Sequence, residues 1–422
     1  MIKFREVLSN RNFFFLWVGQ LISTFGDRLT QMALVALVYQ QNPGSEIALA
    51  KLISFTIIPV FIIGPIAGVW IDRLNRKNVM VISDIFRGCL ILSIPFFIGI
   101  KQILFVYLAI FLTFSISRFF IPSKMAIIPD LVPKENLLVA NTLSGTTYMI
   151  GNVVGLIVAG IIVNTQSIGA IGGFYIDSMT FFVSALLIAM IAHVRSVKEV
   201  SQNIITTTEA ISSSLRRSIA KDIIEGLKTI WRYGDMRFIV SVFFILMTGL
   251  GAVSCVIIVF VQHAFGTSTR DLGFLGTFLV TGLFIGTMLY GKFGQGVPKR
   301  KVVFYSFIAS GIFITVFALV VEKHPNLLTA GVISALLGAA ASPIMISANT
   351  LTHEAIPEEL RGRIFSSLEV VIHLGFMVAM FLAAYAAKYI GRLWVIMIAG
   401  AVFYLCGAVG LAVEAKNKAT CS

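Results

Sequence analysis

Charge is what this chain has least of. Only 13% of its 422 residues are Asp, Glu, Lys or Arg, while 57% are hydrophobic. A soluble domain carries about 25% charged residues, so the composition excludes an ordinary soluble fold and points to a polytopic membrane protein. Cysteine is also scarce. The four, Cys89, Cys255, Cys406 and Cys421, are scattered with no close pair, which argues against a disulfide framework or a structural zinc site. There is no Gly-rich loop ending in Lys-Ser/Thr and no metal-ligand cluster with hydrolase spacing, so neither an enzyme nor a bound cofactor is expected. No cleavable signal peptide is evident, because the first apolar run, from Phe13, is long enough to span a bilayer. Acid is scarcer than base: 20 Asp and Glu against 33 Lys and Arg give a net charge of +13. The basic residues sit between long apolar segments, where they meet anionic lipid and cytoplasm. Membrane lipids are therefore expected partners and nucleic acid is not.

What fills the chain instead is a series of apolar runs, each able to cross a hydrocarbon core of about 30 Å. Twelve can be read, at 13–40, 48–71, 79–100, 103–128, 138–163, 168–194, 238–263, 272–291, 302–321, 327–350, 366–388 and 393–413. The expected fold is an all-α membrane protein of twelve transmembrane helices. One set of connections holds Lys3, Arg5, Arg11, Arg73, Arg76, Lys77, Lys124, Lys134, Lys292, Lys299, Arg300, Lys301, Arg361, Arg363, Lys416 and Lys418. The opposite set holds Lys101, Arg270, Lys323, Lys388 and Arg392. This asymmetry places both termini in the cytoplasm, in a multi-pass protein of the cell inner membrane. The one long polar stretch, 195–237, ends in apolar residues at helical spacing (Ile223, Ile224, Leu227, Ile230, Trp231), as an interfacial amphipathic helix would. It divides the chain into six-helix bundles at 1–194 and 238–422, with 195–237 as a cytoplasmic linker.

The halves repeat one plan. Gly68-Val-Trp-Ile-Asp72-Arg73-Leu-Asn-Arg76-Lys77 and Gly291-Lys292-Phe-Gly-Gln-Gly296-Val-Pro298-Lys299-Arg300-Lys301 are glycine-flanked basic loops at corresponding places. The second lacks an acid equivalent to Asp72. Pro122…Val132-Pro133-Lys134-Glu135 and Pro343…Ile356-Pro357-Glu358-Glu359 are expected as proline-bounded turns entering new helices, where proline and acid suit the first turn. A membrane protein built twice from one plan reads as a transporter with its site between the halves.

On these residues the chain resembles the major facilitator superfamily over nearly its whole length. Asp72-Arg73-x-x-Arg76-Lys77 after Gly68 is similar to that family's loop between helices two and three. Tyr175-Ile-Asp177-Ser-Met-Thr-Phe181-Phe, Glu225-Gly226-Leu227-Lys228-x-x-Trp231 and Pro357-Glu-Glu-Leu-Arg361-Gly362-Arg363 resemble its drug, macrolide and siderophore exporter branch. The resemblance implies two pseudo-symmetric six-helix bundles rocking about a central cavity. Gly151-Asn-Val-Val-Gly155-Leu-Ile-Val-Ala-Gly160 has the glycines but not the proline of the antiporter signature, so it speaks for close helix packing more than for antiport.

Ionisable residues at membrane depth are costly unless paired or wet, and are candidate sites. Asp27 lies about fourteen residues into the first span, or roughly 21 Å. Gln20 and Gln31, with Arg28 beside it, extend a polar stripe lining a substrate cavity. Asp27 either binds a proton or a cationic group there, or pairs structurally with Arg28 or an arginine elsewhere. Arg118 resembles an arginine the family uses in proton transfer, and is otherwise a counter-ion for Asp27 or Asp177. Asp177 is a coupling or a structural carboxylate. Glu369 and His373, at i and i+4, either relay a proton or share one internal hydrogen bond. Gly68, Asp72, Arg73, Arg76 and Lys77, together with Asp84 and Arg87, are expected to gate the cytoplasmic side, with Arg361 and Arg363 as partners.

The function expected is proton-coupled export of a small amphipathic molecule by a monomer, its partners being that molecule, protons and lipids. Two alternatives stand beside it. Pro122-Ser-Lys124 and Leu137-Leu-Val-Ala140-Asn141 resemble a lysophospholipid flippase. Gly26-Asp27-Arg28 resembles ferroportin-like metal exporters, for which Asp27, Cys255 and His373 would be the ligands.

Overall fold

A backbone in lipid must satisfy its own N–H and C=O groups, so apolar runs of this length fold as helices. The computed structural model describes residues 2–64, 67, 74–192, 234–355 and 361–421. Among these the elements are α1 (Ile2–Ser9), α2 (Arg11–Gln41), α3 (Glu46–Ile62), α4 (Arg76–Gly99), α5 (Ile103–Leu131), α6 (Leu137–Asn164), α7 (Gly169–Ala189), α8 (Gly234–Phe265), α9 (Arg270–Phe293), α10 (Lys299–Lys323), α11 (Leu327–Ala355), α12 (Arg361–Ile390) and α13 (Arg392–Cys421), with two short 3-10 turns. Eleven of these helices, all but α1 and α3, are long and apolar enough to cross a membrane. Helix α3, at 17 residues, occupies the start of the second expected span, consistent with twelve membrane helices. The linker expected at 195–237 lies outside the described residues up to the start of α8.

The chain forms two compact units, Met1–Gln41 with Lys51–Ser212 and Asn42–Ala50 with Ser213–Ser422. In the first, α2 packs on α6 and α7, and α4 packs on α5 and α7. In the second, α8 packs on α12 and α13, and α10 packs on α11 and α13. The same pairings recur six membrane helices later. The first core gathers Val7, Phe13, Leu16, Met80, Phe120 and Ile188. The second centres on Phe243, Phe307, Phe317 and Phe403, with Phe307 stacked on Phe403 at 5.5 Å between centroids.

Two expectations need correction. Pro122 and Pro343 do not bound the turns: they lie inside α5 and α11, where membrane helices tolerate proline because neighbours satisfy the freed carbonyls. The turn after α5 begins only at Val132, and Pro133 opens the 3-10 turn Lys134–Asn136. Helix α1 was not expected. Its eight residues are too few to hold alone, and packing of Val7 into the first core fixes it.

Side chains finish the helix ends of the first unit. The Asn10 amide donates to Leu131 O at the end of α5 at 2.7 Å, while its oxygen accepts from the N–H groups of Asn12 and Phe13. Asn12 accepts from Ala192 N–H at 2.9 Å and donates to Ala192 O at 3.2 Å, and Lys77 donates to Ile191 O at 2.5 Å. Terminal carbonyls with no partner in their own helix are thus covered.

In the second unit, α9 and α11 meet backbone to backbone. A Cβ on Gly282 would lie 1.9 Å from Ala335 O. Gly282→Val is expected to force these helices apart at about 1–3 kcal/mol, read as a lower melting temperature in detergent. Gly145→Ala, at a position with nothing within 4 Å, should leave that temperature unchanged or raise it.

Candidate functional site

Among the described residues the most enclosed spanning helix is α2, with 67% of its apolar stretch buried, and it carries Asp27. Gly26 explains how a charged helix comes so close to α7: a Cβ there would stand 2.0 Å from Thr180 Oγ1 and 2.2 Å from Asp177 Oδ1. Asp27 is thereby set beside a group of acids and one arginine drawn from α2, α4 and α7.

Arg87 on α4 is the centre of the group. Its Nη2 donates to Asp27 Oδ1 at 2.8 Å, and its Nη1 reaches Asp84 Oδ1 at 3.4 Å. The guanidinium carbon lies 4.0 Å from the centroid of the Phe181 ring and 5.7 Å from that of Phe120. These rings favour a planar cation. Asp84, fully buried, accepts a second bond from Ser184 Oγ at 2.6 Å. Asp177, also fully buried, accepts from Thr30 Oγ1 at 2.5 Å and Thr180 Oγ1 at 3.1 Å. Ser178 Oγ donates to Gly88 O at 2.9 Å and fixes α4 on α7 beside the cluster. Asp27 differs from the other acids: its side chain is 40% exposed, against 7% for Arg87 and 0% for Asp84. The arrangement is a buried acid–base group with one accessible carboxylate.

The expected site residues fall into several places. Asp27 and Asp177 meet in the cluster, and the arginine beside Asp27 is Arg87 of α4; Arg118 stands half-buried on α5. Asp84 and Arg87, expected with the gate, lie instead in the third and fourth turns of α4, where Arg87 meets Asp27 of α2 and Asp84 meets Ser184 of α7. Gln20, expected in a cavity, is buried in the α2–α6 contact, where Ser144 Oγ donates to its Oε1 at 2.8 Å. Arg28 donates to Gln31 Oε1 at 2.5 Å, with its stem where a Cβ of Gly155 would come, so Gly151 and Gly155 of α6 serve close packing on α2. His373 Nδ1 bonds the backbone oxygen of Glu369 at 2.8 Å. Cys255 is buried, and among the described residues no three His, Cys, Asp or Glu are grouped to hold a metal ion.

Of the expected gate, Gly68, Asp72 and Arg73 lie outside the described residues, as do the side chains of Arg361 and Arg363. Arg76 bonds Asp130 Oδ2 and Ala126 O of α5, both at 2.8 Å. In the second unit, Lys299 pairs with Glu354 of α11. Each unit thus ties the first turn of one helix to the end of the next by a cation and a carboxylate. The search for an acid within the loops missed Asp130 and Glu354, which belong to the following helix. Also missed were Thr30, Ser184 and the pair of Arg392 with Glu46, whose guanidinium also donates to Gly44 O at 3.0 Å.

The Major Facilitator Superfamily model matches residues 16–254 and 239–420, and the chain belongs to this family. An uncharacterized MFS-type transporter, YfiS, of Bacillus subtilis (strain 168) is 23% identical over 94% of this chain and 91% of its own. Macrolide efflux protein A of Streptococcus pyogenes is 21% identical over 90% of each chain. The putative bacilysin exporter BacE of Bacillus subtilis (strain 168) is 27% identical over 92% of this chain and 91% of its own. Among solved structures, a POT family transporter in complex with 5-aminolevulinic acid has a TM-score of 0.73 at 12% identity, covering 96% of both chains. A bacterial homologue of the iron transporter ferroportin, inward-facing, has a TM-score of 0.69 at 14% identity, covering 94% of this chain and 98% of its own. The chain is a multi-pass membrane transporter of the major facilitator fold, acting on a small molecule.

Removing Arg87 strands two carboxylates. Arg87→Met is expected to lower stability by about 3–5 kcal/mol, and adding Asp84→Asn to recover part of it. Thr30→Val, which keeps shape but removes a donor from Asp177, should cost about 1–3 kcal/mol. Thermal unfolding in detergent measures all three; wild-type melting of Arg87→Met would contradict the cluster.

Proposed function

We propose that this transporter exports a small amphipathic molecule, drug- or siderophore-like, across the inner membrane by alternating access, coupled to inward movement of protons at Asp27. The observation that carries this reading is the accessible Asp27 carboxylate, paired on a spanning helix with an enclosed Arg87. Three carboxyls, Asp27, Asp84 and Asp177, gather with one guanidinium. Acid exceeds base, so the group can take up protons and move towards charge balance, which a low-dielectric interior favours. A cationic substrate group meeting Asp27 would do the same, and competition between the two is the elementary basis of antiport.

The direction of transport rests on the relatives. Their names include macrolide efflux, multidrug efflux and a putative bacilysin exporter: different molecules with export in common. The lysine and arginine distribution supports cytoplasmic termini. In this reading the Gly68–Lys77 loop, with Arg361 and Arg363, closes the cytoplasmic side. The flippase alternative gains no further observation. The metal alternative has no grouped ligands among the described residues, and likeness to the ferroportin homologue at 14% identity speaks to fold alone.

Everted vesicles carrying the protein, acidified inside and monitored with a pH-sensitive dye, provide the test with erythromycin as a macrolide probe. The wild type is expected to release protons on addition of the probe. Asp27→Asn should reduce that release on the order of tenfold. Wild-type transport and coupling in Asp27→Asn would remove Asp27 from the mechanism.

A further inference from the structure

Arg87 is shared unequally. Its bond to Asp27 is 2.8 Å, ordinary for a charge-assisted pair, while its approach to Asp84 is 3.4 Å, longer than such pairs prefer. Asp84 is nevertheless prepared for a cation: it is fully buried, and Ser184 Oγ holds its other oxygen at 2.6 Å. The guanidinium between them is not fully used, because its Nε is buried and has no hydrogen-bond partner. It rests on the Phe181 face at 4.0 Å, a surface over which a planar cation can turn without losing its contact. The α4 backbone beside it is fixed by Ser178 Oγ on Gly88 O, so movement is left to the side chain.

We infer that Arg87 is a counter-ion handed between two carboxylates: it stays on Asp27 while that group is charged, and closes onto Asp84 when Asp27 takes up a proton or a substrate cation. Arg87 and Asp84 are then positioning residues for Asp27, and Ser184 sets how strongly Asp84 draws the arginine. The inference rests on the proposed role of Asp27 as the coupling carboxylate. No bond is made or broken beyond the O–H on Asp27, and the guanidinium stays charged throughout. The other groups facing the cluster are Asp177 on α7, held by Thr30 and Thr180, and Lys124 on α5, which feels the charge of Asp27. Neither bonds Arg87 in this structure, whereas both Asp27 and Asp84 bond it. Releasing Arg87 from Asp27 would remove the main attraction holding it in its present rotamer, and would give α4 and α2 one fewer link.

The handover makes two predictions of opposite sign. In Asp84→Asn the arginine has no second anion and stays on Asp27, so Asp27 should bind its proton only at lower pH. In Ser184→Ala, Asp84 loses a donor and draws Arg87 more strongly, so Asp27 should bind its proton at higher pH. Each displacement should be about one pH unit or less. The measurement is pH-titrated infrared difference spectroscopy of the full chain in proteoliposomes, following the carbonyl band of the protonated carboxyl that Asp27→Asn removes. It needs no substrate. The rise in Ser184→Ala is the result that supports the handover: loss of the Asp84 charge lowers the Asp27 midpoint even where Arg87 stays fixed, whereas the neutral Ser184 hydroxyl, bonded to Asp84, reaches Asp27 through Arg87. An Asp27 midpoint that Ser184→Ala leaves unmoved or lowers overturns the handover and leaves the proposed function standing. A spectrum that Asp27→Asn does not alter overturns both. If Asp84→Asn fails to fold, Ser184→Ala alone decides: an unmoved or lowered midpoint overturns the handover.

Discussion

One guanidinium holds the first unit together at its centre. Arg87 cannot be enclosed in a spanning bundle unless carboxylates come with it, and Asp84 cannot be fully buried unless a cation and a donor meet it. Those two requirements fix the neighbourhood. Asp84 and Arg87, three apart, turn the same face of α4 inward. Ser184 and Phe181 must then face them from α7, and Asp27 must arrive on α2. Gly26, having no Cβ, lets α2 approach closely enough. The packing of three helices follows from one buried charge and its partners.

The two units share helix pairings but not the means of holding them. In the first, buried charge lies in the middle of spanning helices: Asp84, Arg87 and Asp177. In the second, the buried acids among the described residues, Glu46 and Asp271, stand in the first turns of α3 and α9, where the helix dipole and nearby donors favour an anion. Thr267 Oγ1 donates to Asp271 at 2.7 Å, and Arg392 meets Glu46. Backbone contacts such as Gly282 on Ala335 O do the close packing instead. A glycine–carbonyl contact is indifferent to protons, whereas an acid–base cluster is not. If transport is coupled to protons, this difference puts the coupling chemistry in the first unit.

Much of the fold was legible because lipid leaves the backbone few choices. Long apolar runs had to be helices, and the loop repeat at Gly68 and Gly291 marked two related halves. What escaped were features that depend on a neighbour. Helix α1 exists because Val7 finds a core formed by distant residues. Pro122 and Pro343 read as helix boundaries locally, but bundle neighbours let the helices continue through them. For the site, intramembrane charge drew attention to Asp27 and Asp177, which the structure places on facing stretches of α2 and α7. The sequence offered Arg28, Arg118 or an arginine elsewhere as the partner of Asp27 and placed Arg87 with the gate; the turn of α4 towards α2 brings Arg87 there instead. Thr30 and Ser184 carried no signal, because a lone hydroxyl in a spanning helix usually bonds its own backbone, as Thr113 does with Ala109 O.

The basic loops show the same limit from the other side. Compared residue by residue, the second loop lacks the acid of the first, which suggests that only one half carries a complete latch. Yet Lys299 finds Glu354 much as Arg76 finds Asp130. In both units the anion comes from the end of the next helix, some fifty residues along the chain. A cation at the start of one helix and an anion at the end of its antiparallel neighbour are brought together by hairpin geometry, and both sit at solvent-facing ends where a pair is cheap to break and remake. The repeat therefore lies in the helix pair and not in the loop. The asymmetry between the units lies deeper, in the mid-helix charges of α2, α4 and α7.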